Sequence, residues 1–272
     1  MAGAKTFYPH ADTGSGASMT EYINPLRTEQ VKGLLEKAEE SGTRDELLVR
    51  TLLFTGMRIG EEVPLTARDV DTRRGSITLS KVITTPHELG TLATHGSKKR
   101  PVYNPKRELA ILLETADRTR LNGERVVGKP SKLLERFQHG ELIKEGLKSS
   151  QPTRVVPLAD RTTLSMLDEW IGTFRDEDRF LWTSQKGGRL RAQQVYRTVR
   201  GLMLKSGVPN PQAHPHQLRH TFAVHFLRRT SDIARLQRIL GHSNIATTTI
   251  YLRFAFDDLK EALDRAGDIF RE

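Results

Sequence analysis

Apolar residues recur at helical spacing along most of this chain. In the stretch 26–41, Val31, Leu34, Leu35 and Ala38 share one face of a helix, which is the pattern of an amphipathic helix packed on a core. The same spacing predicts further helices at 46–56, 59–65, 162–174, 192–207, 214–230, 232–240 and 244–254. The chain is therefore predicted to be mainly helical.

Apolar and polar residues alternate in one short stretch of the chain. After a turn at 71–75, Ile77, Leu79 and Lys81 alternate with Ser and Thr, which predicts a strand. A second strand is predicted at 153–158. Two strands among many helices favour an α+β fold, mainly helical, with a small antiparallel sheet. The sequence has no Gly-rich phosphate loop, which argues against a nucleotide-binding doubly wound fold.

The chain is expected to consist of a short tail and one large domain. Residues 1–20 are rich in Gly, Ala, Ser and Thr without a period, so we expect a disordered tail, with the domain at 21–272. The segment at about 86–147 is rich in Lys, Arg, His and Gly. A structureless loop of this length would be unusual. We therefore predict a basic insert with its own helices at 109–121 and 131–147.

Composition narrows the classes of partner and of chemistry. Lys and Arg number 43 against 33 Asp and Glu, a net charge of +10, which favours a polyanion such as nucleic acid. The chain has no cysteine, so disulfides, thiolate metal sites and cysteine nucleophiles are excluded. It has no apolar run of membrane-spanning length and no apolar core of a signal peptide. We therefore expect a cytoplasmic protein without a membrane partner.

Polar residues with chemical potential concentrate near the C-terminal end of the predicted domain. Five of the nine histidines fall between positions 214 and 242. His216 and Arg219 are three apart and share a helix face, and His220 lies close to the same face. His242 follows a helix-ending glycine, and Tyr251 comes nine residues later. Two packed helices could therefore bring one Arg, two His and one Tyr together.

Two interpretations of these histidines use only part of the set. His216 and His220 have the i, i+4 spacing of a zinc helix. However, Gln217 stands where a metalloprotease needs a glutamate, and no acidic cluster follows. The other interpretation is structural, with buried histidines bonded to each other in a helical core. We interpret His10, His214 and His225 in this way.

Metal-free phosphoryl transfer uses the polar residues together. Attack on a phosphodiester spreads negative charge over the non-bridging oxygens, and an arginine fork matches those oxygens. Histidines can donate hydrogen bonds to them or move a proton. A tyrosine hydroxyl can be the nucleophile and form a covalent phosphotyrosine. Arg219, His216, His242 and Tyr251 all have a role in this chemistry.

The motifs resemble those of the tyrosine recombinases, the phage integrase family. The resemblance lies in His216-Gln-Leu-Arg219-His220-Thr-Phe-Ala, in Leu240-Gly241-His242-Ser243 and in Thr248-Thr249-Ile250-Tyr251. Upstream, Thr55-Gly56-Met57-Arg58-Ile59-Gly60-Glu61 is similar to the family's first-arginine motif. The resemblance covers about 25–256 apart from the insert. It implies the fold of a tyrosine recombinase catalytic domain.

The resemblance implies a role for each motif residue. Arg58 and Arg219 would clamp the scissile phosphate. Tyr251 would attack it to give a 3′-phosphotyrosyl bond and a free 5′-hydroxyl. His216 would assist proton transfer, and His242 would hold a non-bridging oxygen. No metal, cofactor or ATP would be needed, because the phosphotyrosine conserves the energy of the broken bond.

The family's general acid is a lysine, for which the sequence offers two candidates. Lys148 has the spacing that many integrases show before Arg-x-Val-Pro-Leu, and we prefer it. Lys81, at the end of the first strand, is the alternative. His220 is expected to contact the catalytic residues and not the phosphate itself.

The resemblance also implies partners. We expect a site-specific recombinase or integrase acting on double-stranded DNA as a homo-tetramer, and a monomer or dimer when free. A C-terminal helix at about 257–271 is expected either to dock on a neighbouring subunit or to pack on its own domain. Few residues precede the domain, so we expect either a minimal recombinase or a DNA grip supplied by the insert. The alternatives are a type IB topoisomerase-like enzyme and a non-catalytic DNA-binding regulator of the same fold.

Overall fold

The computed structural model describes residues 25–84, 137–138, 141–145, 153–185 and 187–255. Its helices are α1 (Thr28–Ser41), α2 (Thr43–Thr55), α3 (Ile59–Glu62), α4 (Arg161–Gly172), α5 (Ala192–Lys205), α6 (His216–Thr230), α7 (Ile233–Leu240) and α8 (Ala246–Ala255). Its strands are β1 (Val70–Asp71), β2 (Ser76–Leu79), β3 (Lys81–Thr84), β4 (Phe137–Gln138), β5 (Glu141–Glu145) and β6 (Arg154–Pro157). The predicted class, mainly helical with a small antiparallel sheet, is confirmed.

Helix α6 lies at the centre of the fold and packs against α2, α7 and α8. Its apolar residues Leu218, Ala223, Val224 and Leu227 are fully buried. Because helices pack on more than one of its faces, polar residues of the same helix are also buried, among them Arg219. A buried polar group must find a partner or lose stability, so the side chains of α6 are held by specific contacts.

The apolar core has two parts. The larger part joins α1, α2, α4 and α5 to the sheet, with Leu34, Leu48, Ile77 and Val199 among its fully buried members. The smaller part lies between α6, α7 and α8 and includes Tyr251. Tyr251 is therefore both a core residue and a predicted nucleophile.

The predicted pairing of the two strands is confirmed. β2 pairs antiparallel with β6, with Ile77 opposite Val156, and β1 extends the same sheet. The strand predicted to run through residue 81 is interrupted at Ser80. β3 then leaves this sheet and pairs antiparallel with β5, with Lys81 opposite Glu145.

One prediction for the insert is wrong. The sequence predicts a helix at 131–147, whereas the described residues of this stretch form β4 and β5. The reason is tertiary, because β5 completes its backbone hydrogen bonds with β3, about sixty residues upstream in the chain. The predicted tail at 1–20, the helix at 109–121, the C-terminal helix at 257–271 and Lys148 lie outside the described residues.

The strand β3 at the base of the insert packs directly on α3. A Cβ on Gly60 would stand 3.4 Å from the Ile83 carbonyl oxygen and 3.6 Å from Val82 Cγ2. The glycine therefore allows the backbone of β3 to lie close to α3, the helix that Arg58 precedes.

Among the described residues, no helix is both long and apolar enough to cross a membrane.

Candidate active site

Arg58 is placed by a glycine turn at the end of α2. Gly56 has a left-handed φ of 65°, a conformation in which a Cβ costs energy, and a Cβ there would stand 2.4 Å from the Phe222 ring. The Arg58 backbone N–H donates to Glu61 Oε2 at 2.9 Å and opens α3. The Arg58 side chain is 41% exposed. Arg58 can therefore reach an anion that arrives from solvent.

Arg219 is the buried counterpart of Arg58, with only 1% of its surface exposed. Its Nη1 donates to the Gly56 carbonyl at 2.7 Å, and its Nη2 donates to the Leu240 carbonyl at 2.7 Å. Burial, reinforced by the charge of Arg58, lowers the pKa of Arg219 to about 9. Arg219 therefore joins α6 to the ends of α2 and α7 while remaining a cation at neutral pH.

A buried ion pair supports both arginines. Arg154, on β6, donates two parallel hydrogen bonds to the Glu61 carboxylate, both 2.8 Å long. Burial alone would raise the pKa of Glu61, but the bonds and charge of Arg154, followed by Arg58 and Arg219, lower it to about 2. The cluster thus holds three guanidinium groups and one carboxylate that stays ionised. It carries excess positive charge.

His242 is oriented by contacts on both ring nitrogens. Arg219 Nη2 donates to Nε2 at 2.9 Å. Because a guanidinium has no acceptor, the ring proton must be on Nδ1, which donates to Thr248 Oγ1 at 2.9 Å. Burial and the charge of Arg219 lower the pKa of His242 to about 3. His242 is therefore neutral and presents an Nε2 lone pair to Arg219.

Tyr251 lies on α8 with its hydroxyl pointing into the cluster. His220 Nδ1 is 3.0 Å from Tyr251 Oη, and the His242 ring lies parallel to the tyrosine ring at 6.5 Å. Burial raises the pKa of Tyr251, although Arg219 and Arg58 act in the opposite direction. The tyrosine is thus a neutral phenol whose ionised form these two cations would stabilise.

His216 begins α6 and lies against His220, with the two rings edge to face at 4.7 Å. Burial lowers the pKa of His216 well below its usual value, and the charges of Arg219 and Arg58 act in the same direction. The structure therefore brings together the five predicted site residues that it describes, Arg58, His216, Arg219, His242 and Tyr251. Within the described part of the chain, no group of three or more His, Asp and Glu side chains is placed to hold a metal.

The C-terminal half of the chain is similar to proteins of a known family. Residues 136–257 match the profile of the phage integrase family. The tyrosine recombinase XerC of Escherichia coli O157:H7 is 35% identical to this chain over 144 residues, which is 52% of this chain and 47% of the relative. Residues 136–257 thus match a tyrosine recombinase catalytic domain. A second XerC, from Haemophilus influenzae, is 36% identical over 116 residues, which is 42% of this chain and 39% of the relative.

Solved structures share the fold of this recombinase domain. The XerA recombinase crystal structure superposes with a TM-score of 0.56 at 24% identity, covering 89% of this chain and 63% of that one. The Tn1549 transposon integrase in complex with circular intermediate DNA superposes with a TM-score of 0.58 at 20% identity, covering 90% and 67%. The matched part of this chain spans less than half the length of its XerC relatives.

The general acid of the recombinase domain stays a prediction. Lys148 is not among the described residues. Lys81 begins β3, where its Nζ lies 3.0 Å from Asp69 Oδ2 and 3.4 Å from Thr66 Oγ1. The described contacts of Lys81 therefore anchor the base of the insert.

Sequence reasoning missed two contacts in the recombinase domain. One is the ion pair of Glu61 and Arg154, which the sequence pattern around Arg154 could have indicated. Arg154 alternates with Val156 and Leu158 on the buried side of β6, and an inward-facing arginine on a strand requires a buried anion. The other is the contact of His220 with Tyr251, which needed the packing of α8 on α6 and left no signal in the spacing.

Proposed function

We propose that this chain is a site-specific DNA recombinase that cuts and rejoins duplex DNA through Tyr251. The observation that carries the proposal is the convergence of Arg58 and Arg219 on the tyrosine, in a cluster where the Glu61 carboxylate is already paired with Arg154. The excess positive charge is complementary to a phosphodiester. It stabilises the transition state more than the ground state, because negative charge increases on the phosphate oxygens during the reaction.

The proposed reaction forms one bond and breaks one bond in each step. Tyr251 Oη attacks phosphorus, and the bond from phosphorus to the 5′-oxygen breaks, leaving a 3′-phosphotyrosyl link. The leaving 5′-oxygen takes a proton from a lysine, for which Lys148 is our candidate and Lys81 the second. A 5′-hydroxyl of a partner strand then attacks the phosphotyrosine and releases Tyr251. No metal, cofactor or ATP takes part.

The remaining residues are proposed to act on the phosphate. Arg58 and Arg219 hold its non-bridging oxygens, with Arg58 approaching from the exposed side. His216 assists proton transfer at the site. His242 holds a further oxygen once the phosphate draws Arg219 away from Nε2 and the ring proton moves to that nitrogen. This change replaces an acceptor role by a donor role, which the neutral ring allows.

Double-stranded DNA is the proposed partner, and a homo-tetramer on DNA the proposed assembly. The net charge of +10 supports a polyanion, and the structurally similar Tn1549 integrase was solved with DNA. Strand exchange between two duplexes requires four cuts, which supports four copies of a chain with one nucleophile each. The 257–271 segment is the proposed link between neighbouring copies.

Covalent capture tests the proposal even though the target sequence is unknown. The chain is incubated with nicked duplexes of random sequence, so that cleavage near the nick releases a short strand and traps the phosphotyrosine. Adducts that survive detergent are isolated and sequenced. We expect wild type to select a defined sequence, and Tyr251→Phe to give no adduct because it lacks the nucleophile.

Other outcomes separate the competing functions. Binding of duplex DNA without any adduct would identify a non-catalytic regulator. Adducts that lead to relaxation of supercoiled DNA, with no recombinant product from two duplexes, would identify a topoisomerase-like enzyme. Loss of the adduct in chelator would contradict the metal-free mechanism.

A further inference from the structure

The hydroxyl of Tyr251, the proposed nucleophile, contacts the imidazole of His220, to which the proposed reaction gives no role. His220 Nδ1 lies 3.0 Å from Tyr251 Oη, within the range of a hydrogen bond. His220 is buried on α6, one residue after Arg219. The pair joins two helices across the smaller core, so it depends on their packing and not on local sequence.

The surroundings of His220 keep its imidazole neutral. Burial, followed by the charges of His214 and Arg219, lowers the pKa of His220 to about 3. Among the described residues, the ring of His216 and the hydroxyl of Tyr251 also face it. A neutral imidazole has one nitrogen lone pair, and a phenol directed at Nδ1 can donate to it.

We propose that His220 is a further catalytic residue, whose Nδ1 accepts the phenolic proton of Tyr251 as its oxygen attacks the phosphate. This inference rests on the proposed function. The O–H bond of Tyr251 breaks, the bond from Oη to phosphorus forms, and the 5′-oxygen leaves with a proton from the lysine. When the partner strand attacks, its 5′-hydroxyl gives its proton back to the lysine, and His220 returns its proton to Tyr251.

The bound phosphate makes this transfer easier. In its absence, Arg219 disfavours a second positive charge beside it. A phosphodiester held by Arg219 places a negative charge close to the imidazole, which offsets that repulsion and favours the imidazolium. Proton transfer is therefore coupled to DNA binding, and the tyrosine is activated only when its target is present.

His242 is less suited to accept this proton. Its Nε2 accepts from Arg219, and its Nδ1 donates to Thr248, so both nitrogens are already engaged. Its ring lies parallel to that of Tyr251, a geometry that directs neither nitrogen along the phenolic O–H. The hydrogen-bond geometry thus separates His242, on the phosphate side, from His220, on the nucleophile side.

Two substitutions separate proton transfer from positioning. His220→Asn places an amide near Nδ1, where it can keep a hydrogen bond to Tyr251 but cannot take a proton. His220→Leu removes both functions. We expect both variants to bind the wild-type target normally and to form the covalent adduct about 10² to 10⁴ times more slowly in a single turnover. Thermal unfolding of each variant monitors the fold, and His220→Asn alone suffices if His220→Leu does not fold.

Two modified reactants test whether the His220 variants are slow because Tyr251 is not deprotonated or because the leaving 5′-oxygen is not protonated. A trifluorotyrosine at position 251 ionises more readily, so it should recover at least tenfold of the rate that His220→Asn loses. A substrate with sulfur at the bridging 5′-position needs no acid for its leaving group, and it should not rescue His220→Asn. Full activity of His220→Asn, rescue by sulfur, or no rescue by trifluorotyrosine would each overturn the inference. Absence of any adduct from wild type would instead overturn the proposed function.

Discussion

At the scale of single residues, the pKa values of the neighbouring carboxyl groups of Glu61 and Glu62 are shifted in opposite directions. Glu61 is buried beside Arg154, and its pKa falls to about 2. Glu62 is equally buried, but its partner is the Thr51 hydroxyl, and its second oxygen has no partner among the described residues. Burial therefore raises the pKa of Glu62 well above its usual value. The carboxylate of Glu61 thus belongs to the candidate site, whereas Glu62 lies in the core, where burial favours its protonated form.

The raised pKa of Glu62 implies that the stability of the folded protein decreases as pH rises. Its folded pKa lies above the unfolded value, so its contribution is complete below about pH 4.3 and is lost as pH rises toward the folded pKa. Glu62→Gln cannot ionise and escapes this loss. We expect the unfolding free energy of Glu62→Gln, relative to wild type, to increase by about 1.4 kcal/mol per pH unit above pH 4.3 until the folded pKa is reached.

Urea unfolding followed by tryptophan fluorescence at pH 4 to 8 measures this difference. Trp182 is a suitable probe, because its Nε1 donates to the Glu62 backbone carbonyl at 3.0 Å. Other titrating groups are common to both proteins and cancel. A difference that does not change with pH would show that Glu62 is ionised in the folded protein.

At the scale of elements, Arg154 connects the parts that carry the site. It binds Glu61 on α3, and its Nε donates to the Ile239 carbonyl at the end of α7. Gly241, just before His242, has a left-handed φ of 65°, and a Cβ there would stand 2.7 Å from Arg154 Nη1. The guanidinium at the end of an arginine side chain is normally free to move, but the guanidinium of Arg154 is held by three hydrogen bonds.

Gly241→Ala should therefore lower the unfolding free energy by more than backbone strain alone would. Gly207→Ala is the matched control, since Gly207 also has a left-handed φ, 82°, and a Cβ there would meet nothing within 4 Å. We expect Gly207→Ala to lower the unfolding free energy by about 1–2 kcal/mol. Gly241→Ala should lose at least about 1 kcal/mol more, because displacing Arg154 weakens a buried charge-assisted pair. Equal losses in denaturant unfolding would show that Arg154 moves aside freely.

The sequence predicts the helices well because each one repeats its apolar residues locally. It predicts the pairing of β2 with β6 from alternation, but it does not predict β5. The residues of β5 form a strand because β3 lies beside them, and such a distant partner leaves no periodic signal. In the site, the motifs predict the five described residues, while the opposite roles of Glu61 and Glu62 depend on what each side chain meets after folding.

At the scale of the whole molecule, positive charge concentrates in the insert. Residues 86–140 contain eleven Lys and Arg against six Asp and Glu. The insert leaves the domain from β3 and returns through β5, and β3 packs on α3 beside Arg58. In the proposed complex, the charge of the insert can contact DNA phosphates near the scissile one. We therefore expect the insert to supply part of the DNA grip.

Replacing residues 86–140 with Asn-Gly tests this expectation. Thr84 pairs with Leu142, so a two-residue turn between residues 85 and 141 continues the register of the hairpin. β4 is removed, but β5 keeps its pairing with β3. We expect the shortened chain to fold and to bind duplex DNA more weakly. The slope of log affinity against log salt should be shallower by about 0.9 for each phosphate that the insert neutralises in the full chain.

A second variant keeps the insert and removes only charge. Lys98, Lys99 and Arg100 are changed together to Gln, which leaves the length of the insert unaltered. If the insert grips DNA by charge, this variant should also flatten the salt slope, by up to about 2.7, while its unfolding midpoint stays at the wild-type value. A shortened chain with the wild-type slope would show that the insert does not touch the phosphates. Among the described residues, the helices around the site would then be the candidates for the grip, because Arg58 is exposed there.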